Sequence, residues 1–105
     1  MHNVRVILTN GSFQFTKDFQ LSTVPQVDWI VNILIKAEGG YVSARVKRIS
    51  QYLDEDVVKV WCDTELRALC QLYRNNQEWT VNDLADFETS SAVNKMIAKI
   101  KRDET

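Results

Sequence analysis

The side chains of this chain that could activate a bond are few and poorly placed to do so. His2 is the single histidine. It sits in a terminus expected to fray, so imidazole acid–base chemistry has no fixed geometry there. Cys62 and Cys70 are the only cysteines, with no zinc-type spacing and no base beside either in sequence. Asp54, Glu55 and Asp56, followed by Asp63, form the densest carboxylate group. A calcium loop needs regularly spaced oxygen ligands and a glycine, and both are missing. Neither a glycine-rich phosphate loop nor a nucleophile elbow is present. The expectation is a protein with no catalytic residues, no metal, no cofactor and no evident small-molecule substrate: a non-enzymatic binding protein.

Binding chemistry is better represented. The 105 residues carry a net charge of −1, sorted along the chain as +3 over residues 1–52, −6 over 53–88 and +2 over 89–105. Blocks of one sign create local fields even when the total is near zero. Asp54, Glu55 and Asp56 in the acidic block are candidate contacts for a protein partner. Arg45 and Lys47, with Arg48 next to them, form a basic group on a segment that alternates apolar and polar residues, a pattern that can hold nucleic acid beside Tyr41. Ser90, Ser91, Asn94, Lys95, Lys99 and Arg102 form a second polar and basic group near the C-terminus. Asn can pair with adenine edges, and Lys with guanine or phosphate.

These groups need elements to hold them. Asn10-Gly11 is a preferred two-residue hairpin turn, and closing it there pairs Leu8 with Phe13, Val6 with Phe15 and Val4 with Lys17. That register places Val4, Val6, Leu8, Phe13 and Phe15 on one face of strands 3–9 and 12–19. Residues 24–38 read as a helix. Ser22 or Thr23 caps it, Pro25 lies in its first turn and Gly39-Gly40 ends it, while Asp28, Asn32 and Lys36 form a polar stripe at i, i+4, i+8. Its β-branched residues would also suit a strand. The broad apolar arc, carrying Trp29 and Ile33, is a second candidate surface for a protein partner and predicts a homodimer. Strands follow at 41–49 and 57–62. Asp63 is expected to cap a helix that Asn75-Asn76-Gln77 breaks, and Ser90 to cap a helix over 91–102 with Val93, Met96, Ile97 and Ile100 inward. Between these helices, Trp79 and Val81 could extend the sheet or Asn82 could start a short helix.

The stretch from the helix after Asp63, through Leu84-Ala85, to Val93, Met96 and Ile97 resembles a helix-turn-helix DNA-binding unit over residues 64–102. The resemblance implies a second helix at 81–87 and a recognition helix at 91–102 that presents Ser90, Ser91, Asn94, Lys95 and Lys99 to duplex DNA. The connecting turn is shorter than in that family and lacks its glycine, and Asp83, Asp86 and Glu88 lie near where phosphates would run. The sequence thus predicts an α+β fold: a four-stranded antiparallel sheet of two hairpins packed against helices, in the order ββαββα(α or β)α. It forms one domain over 1–105, with a ββαββ part at 1–62 and a helical part at 63–102. With no apolar run long enough to cross a bilayer and no signal-peptide layout, no membrane contact and a cytoplasmic location are expected. The partner is expected to be a protein or duplex DNA. A regulatory DNA-binding protein leads, with an adaptor or inhibitor acting through residues 53–88 or 24–38 as the alternative.

Overall fold

The computed structural model describes residues 1–35, 40–75 and 78–104. In chain order its elements are β1 (His2–Asn10), β2 (Phe13–Leu21), β3 (Ile30–Ile35), β4 (Gly40–Gln51), β5 (Val58–Thr64), α1 (Leu66–Arg74), β6 (Thr80–Val81), α2 (Leu84–Thr89) and α3 (Ser91–Asp103). The strands form one mixed, curled sheet in the order β3-β4-β5-β1-β2-β6. The expected four-stranded antiparallel sheet is therefore corrected to a six-stranded half-barrel, in which β1 pairs in parallel with β5.

The N-terminal hairpin forms with its turn one residue further on. Asn10 pairs with Phe13, Leu8 with Phe15, Val6 with Lys17 and Val4 with Phe19. Gly11 and Ser12 make the turn, and only Gly11 has a positive φ, +58°, as a II′ turn requires at its first central position. Asn10 stays in the ladder because its amide donates to the Thr64 carbonyl at 2.8 Å, tying the turn to the end of β5. Moving the partner strand by two residues keeps every side chain on its expected face. Val4, Val6, Leu8 and Phe15 accordingly lie in the core.

The helix expected over 24–38 is not there. Residues 30–35 are a strand whose burial alternates, with Val31, Ile33 and Ile35 turned inward and Ile30, Asn32 and Leu34 exposed. Residues 36–39, including Lys36 and Gly39, lie outside the described residues. Four β-branched side chains in six residues favour the pleated conformation. Upstream, Asp28 takes a left-handed φ of 72° and its N–H donates to the Val46 carbonyl, while the Trp29 carbonyl accepts from the Val46 N–H. The approach to β3 is thereby pinned to β4.

Asp63 also changes role. It belongs to β5, and Glu65 stands at the N-cap of α1 without a side-chain capping bond. Between the two longer helices both alternatives occur in sequence: Thr80–Val81 joins the edge of β2, and α2 follows from Leu84. Ser90 caps α3 as expected, its hydroxyl accepting from the Val93 N–H at 3.3 Å. The three helices cover one end of the concave face. Leu69, Cys70 and Leu72 of α1, Phe87 of α2, and Val93 and Ile100 of α3 pack onto the sheet core. Phe87 is the hub, its ring 5.2 Å from those of Phe13, Phe15 and Tyr73.

Candidate protein-docking site

The inward alternation of β2 does not stop where the helices stop. Phe13 and Phe15 meet Phe87, but Lys17, Phe19 and Leu21 run on beyond the helical cover. Because the sheet curls, they come to face Val31 and Ile33 of β3 across an open groove of about 480 Å³, with Val6 of β1 also lining it. Pro25, Trp29 and Trp79 line it too. The Phe19 and Trp79 rings stand 5.8 Å apart, and the Lys17 ammonium lies 5.4 Å from the Phe19 ring centre. β2 and β3 lie on opposite sides of the sheet order, so only curvature can bring them to one groove.

The outer rim of this groove is an edge strand. Among the described residues β3 has one strand neighbour, β4. The edge of a sheet is a template for another strand, and proteins usually blunt it with a charge, a proline, a bulge or brevity. The opposite edge ends in β6, two residues long, which pairs with Phe15 and Thr16 of β2. β3 is six residues of Ile-Val-Asn-Ile-Leu-Ile with no charge and no proline. Around it Trp29 is 49% exposed, Ile30 51%, Leu34 58% and Tyr41 67%. Trp29 and Ile33, the partner contacts expected from the sequence, come together here, although on a strand and its approach rather than on one helix. Ile30 and Leu34 of the same apolar segment join them at the exposed edge. Phe19, Leu21, Tyr41 and Trp79 are added by the structure; for Phe19 and Leu21 the sequence signal is the apolar alternation of β2 continuing past Phe15.

The remaining candidates are spread over other surfaces. Asp54, Glu55 and Asp56 sit exposed in the β4–β5 loop. Glu55 lies 3.7 Å from the Lys59 ammonium, and Asp56 accepts from Asn3 at 3.3 Å. Arg45 and Lys47 lie exposed on β4, where Lys47 pairs with Asp63 at 2.8 Å. The register shift between Val46 and Arg48 makes Lys47 the extra residue of a bulge. Arg48 stacks over the Trp61 ring at 4.5 Å. Arg45 lines a depression of about 410 Å³ with Asp63, Glu65 and Arg67, in which two cations face two carboxylates.

On α3, Ser91, Asn94, Lys95, Lys99 and Arg102 are exposed and Ser90 is partly buried. The Asn94 amide donates to the Glu88 and Ser90 carbonyls at 3.2 and 3.0 Å, so it is engaged within the helix junction. Ser90 alone separates α2 from α3. A helix-turn-helix normally uses a turn of about three to four residues. Asp83, Asp86 and Glu88 are exposed at and along α2.

Both thiols are buried, and burial pushes Cys62 and Cys70 up to about 11, with Asp63 adding to the effect at Cys62. A thiol held protonated is a poor nucleophile at neutral pH. Among the described residues no group of three or more His, Cys, Asp or Glu is placed to hold a metal ion, and no helix is long and apolar enough to cross a membrane. Comparison with protein-family models, curated proteins and solved structures returns no match.

Proposed function

We propose that this chain is a small non-enzymatic protein-interaction module, an adaptor or inhibitor, whose contact surface is the groove and edge at β3. The observation that carries the reading is the contrast between the two sheet edges: one ends in a two-residue strand, the other is six residues long, uncharged and apolar on both faces except for Asn32. Adding a strand to such an edge supplies main-chain hydrogen bonds, and an adjoining pocket for alternate side chains supplies selectivity. The aromatic rim matches the usual anchors of interfaces, in which Trp and Tyr carry a large share of the energy.

The test is affinity capture from a native extract, read by mass spectrometry, with wild type compared against Trp29→Ala and Leu34→Lys. Both positions are about half exposed, so the fold should survive the substitutions. Capture of a small set of proteins, this chain itself counted among them, is expected with wild type and lost with both variants. Undiminished capture by both would move the contact surface elsewhere and sink the reading.

Duplex DNA is the second reading. It is favoured by the exposure of Lys95, Lys99 and Arg102 along a capped thirteen-residue helix beside α2. Polarisation titration with duplex DNA decides it. Salt-dependent affinity that falls with Lys95→Glu and Lys99→Glu together supports it, and affinity absent at low salt removes it.

A further inference from the structure

We infer that a second copy of this chain occupies β3, the two β3 strands pairing antiparallel about a two-fold axis at Asn32 to join both half-barrels into one continuous sheet. The inference rests on the docking reading above and names the partner of that same surface.

The argument starts from parity. In an antiparallel pair, directly opposed residues lie on the same face of the sheet. A two-fold axis perpendicular to the sheet keeps outer face with outer face, so only registers opposing residues of equal parity are allowed. Centring on Asn32 opposes Asn32 to the partner's Asn32, Ile30 to the partner's Leu34, and Val31 to the partner's Ile33. Moving the axis to Ile33 sets the Asn32 amide against a leucine, and moving it to Val31 sets it against an isoleucine. Within β3 only the Asn32 register matches polar with polar, because Ile-Val-Asn-Ile-Leu reads apolar, apolar, amide, apolar, apolar in both directions.

The neighbouring strand extends the match. In β4, Tyr41 lies beside Leu34, Ser43 beside Asn32 and Arg45 beside Ile30, while on the inner face Val42 lies beside Ile33 and Ala44 beside Val31. Across the axis the outer face then reads Tyr41, Leu34, the partner's Ile30 and the partner's Arg45 in one row. The central row holds Ser43, Asn32, and their two counterparts. The inner rows are wholly apolar and continue the groove wall. Asn32 is already oriented, its Oδ1 accepting from the Ser43 hydroxyl at 2.7 Å. Its amide N–H groups can meet the partner's Asn32 carbonyl, and a central amide pair of this kind fixes register at an otherwise apolar seam. No charge lies on β3 to repel a second copy.

Light scattering after size exclusion, combined with cysteine cross-linking, tests this. Opposed Cα atoms about 4.5–5.5 Å apart fall within disulfide reach. The native cysteines are buried and do not compete. Wild type should run at twice its 12.2 kDa mass. Asn32→Cys should lock into a covalent dimer under mild oxidation. Leu34→Lys and Ile30→Glu should each halve the mass, and mixing these two variants should restore a dimer, because lysine at 34 then faces glutamate at 30. A 12.2 kDa species alone at high concentration overturns the inference. So does a dimer that Asn32→Cys does not lock and Leu34→Lys leaves intact. A monomer leaves the surface open to a foreign strand, and the capture experiment decides that question separately.

Discussion

At the scale of single residues, one buried hydroxyl and one ion pair carry energetic consequences that can be measured. Thr64 is buried, and its hydroxyl has no hydrogen-bond partner among the described residues. A buried, unsatisfied polar group carries its desolvation penalty uncompensated, so Thr64→Val should be neutral to stabilising by about 1 kcal/mol. Urea unfolding checks this, and a clear loss of stability would reveal a bond that the hydroxyl makes. Arg5 and Asp18 form a two-point pair at 2.8 and 3.2 Å. The hydrogen bond from Arg5 holds the Asp18 carboxyl below its usual range. A carboxyl lowered in the folded state stabilises the protein above its unfolded value of about 3.9 and loses that contribution as pH falls through the folded value. Asp18→Asn should therefore cost stability near neutral pH, modestly because the pair is exposed, and cost nothing in strong acid. A gap between wild type and variant that persists in strong acid would assign the effect to packing.

At the scale of elements, the sequence reveals whatever is local and hides what is not. Strands with one buried face, a capped amphipathic helix at α3 and the opening hairpin all declare themselves through period or turn chemistry. Residues 24–38 mislead for a specific reason. Asp28, Asn32 and Lys36 are spaced by four, which returns to the same face both on a helix of 3.6 residues per turn and on a strand of period two. That spacing cannot separate the alternatives. The β-branched run can, and it decides for strand at 30–35. The parallel union of β1 with β5 leaves no local mark, since it joins Val4 to Val58. The candidate groove is half legible for the same reason: Trp29 and Ile33 stand out as apolar, but Phe19 and Trp79 reach them only through curvature. Helix α2 depends on tertiary support. It has six residues, and its N-cap Asp83 takes a left-handed φ of 53°. Isolated helices this short do not hold in water. Phe87, fully buried among three rings, supplies that support. Phe87→Ala should cost about 3–5 kcal/mol, the range for an aromatic core truncation. Denaturant unfolding measures it, and a cost under about 1 kcal/mol would show that α2 is held by something other than this ring cluster.

At the scale of the whole molecule, the half-barrel is unequal from centre to rim, and hydrogen exchange should report that gradient. β1 lies between β2 and β5, and β5 between β1 and β4, so both strands have hydrogen-bonding neighbours on two sides. Their inward residues Leu8, Val60 and Cys62 are fully or almost fully buried. Amides in such central strands open only with global unfolding, whereas rim elements open locally at lower cost. β1 and β5 should therefore exchange slowest, and β6, two residues on the edge of β2, fastest among the strands. β3 is where the proposed pairing would be read. With β4 as its single strand neighbour among the described residues, its outward-directed amides should exchange fast in the monomer. In the proposed dimer the same amides would join a ladder and slow down. The expected signature is protection at 30–35 that rises with protein concentration and stays low in Leu34→Lys, while β1 and β5 remain unchanged in both. Protection at β3 that does not depend on concentration would mean that its edge is already satisfied within one chain, and the docking surface would then have to be sought elsewhere.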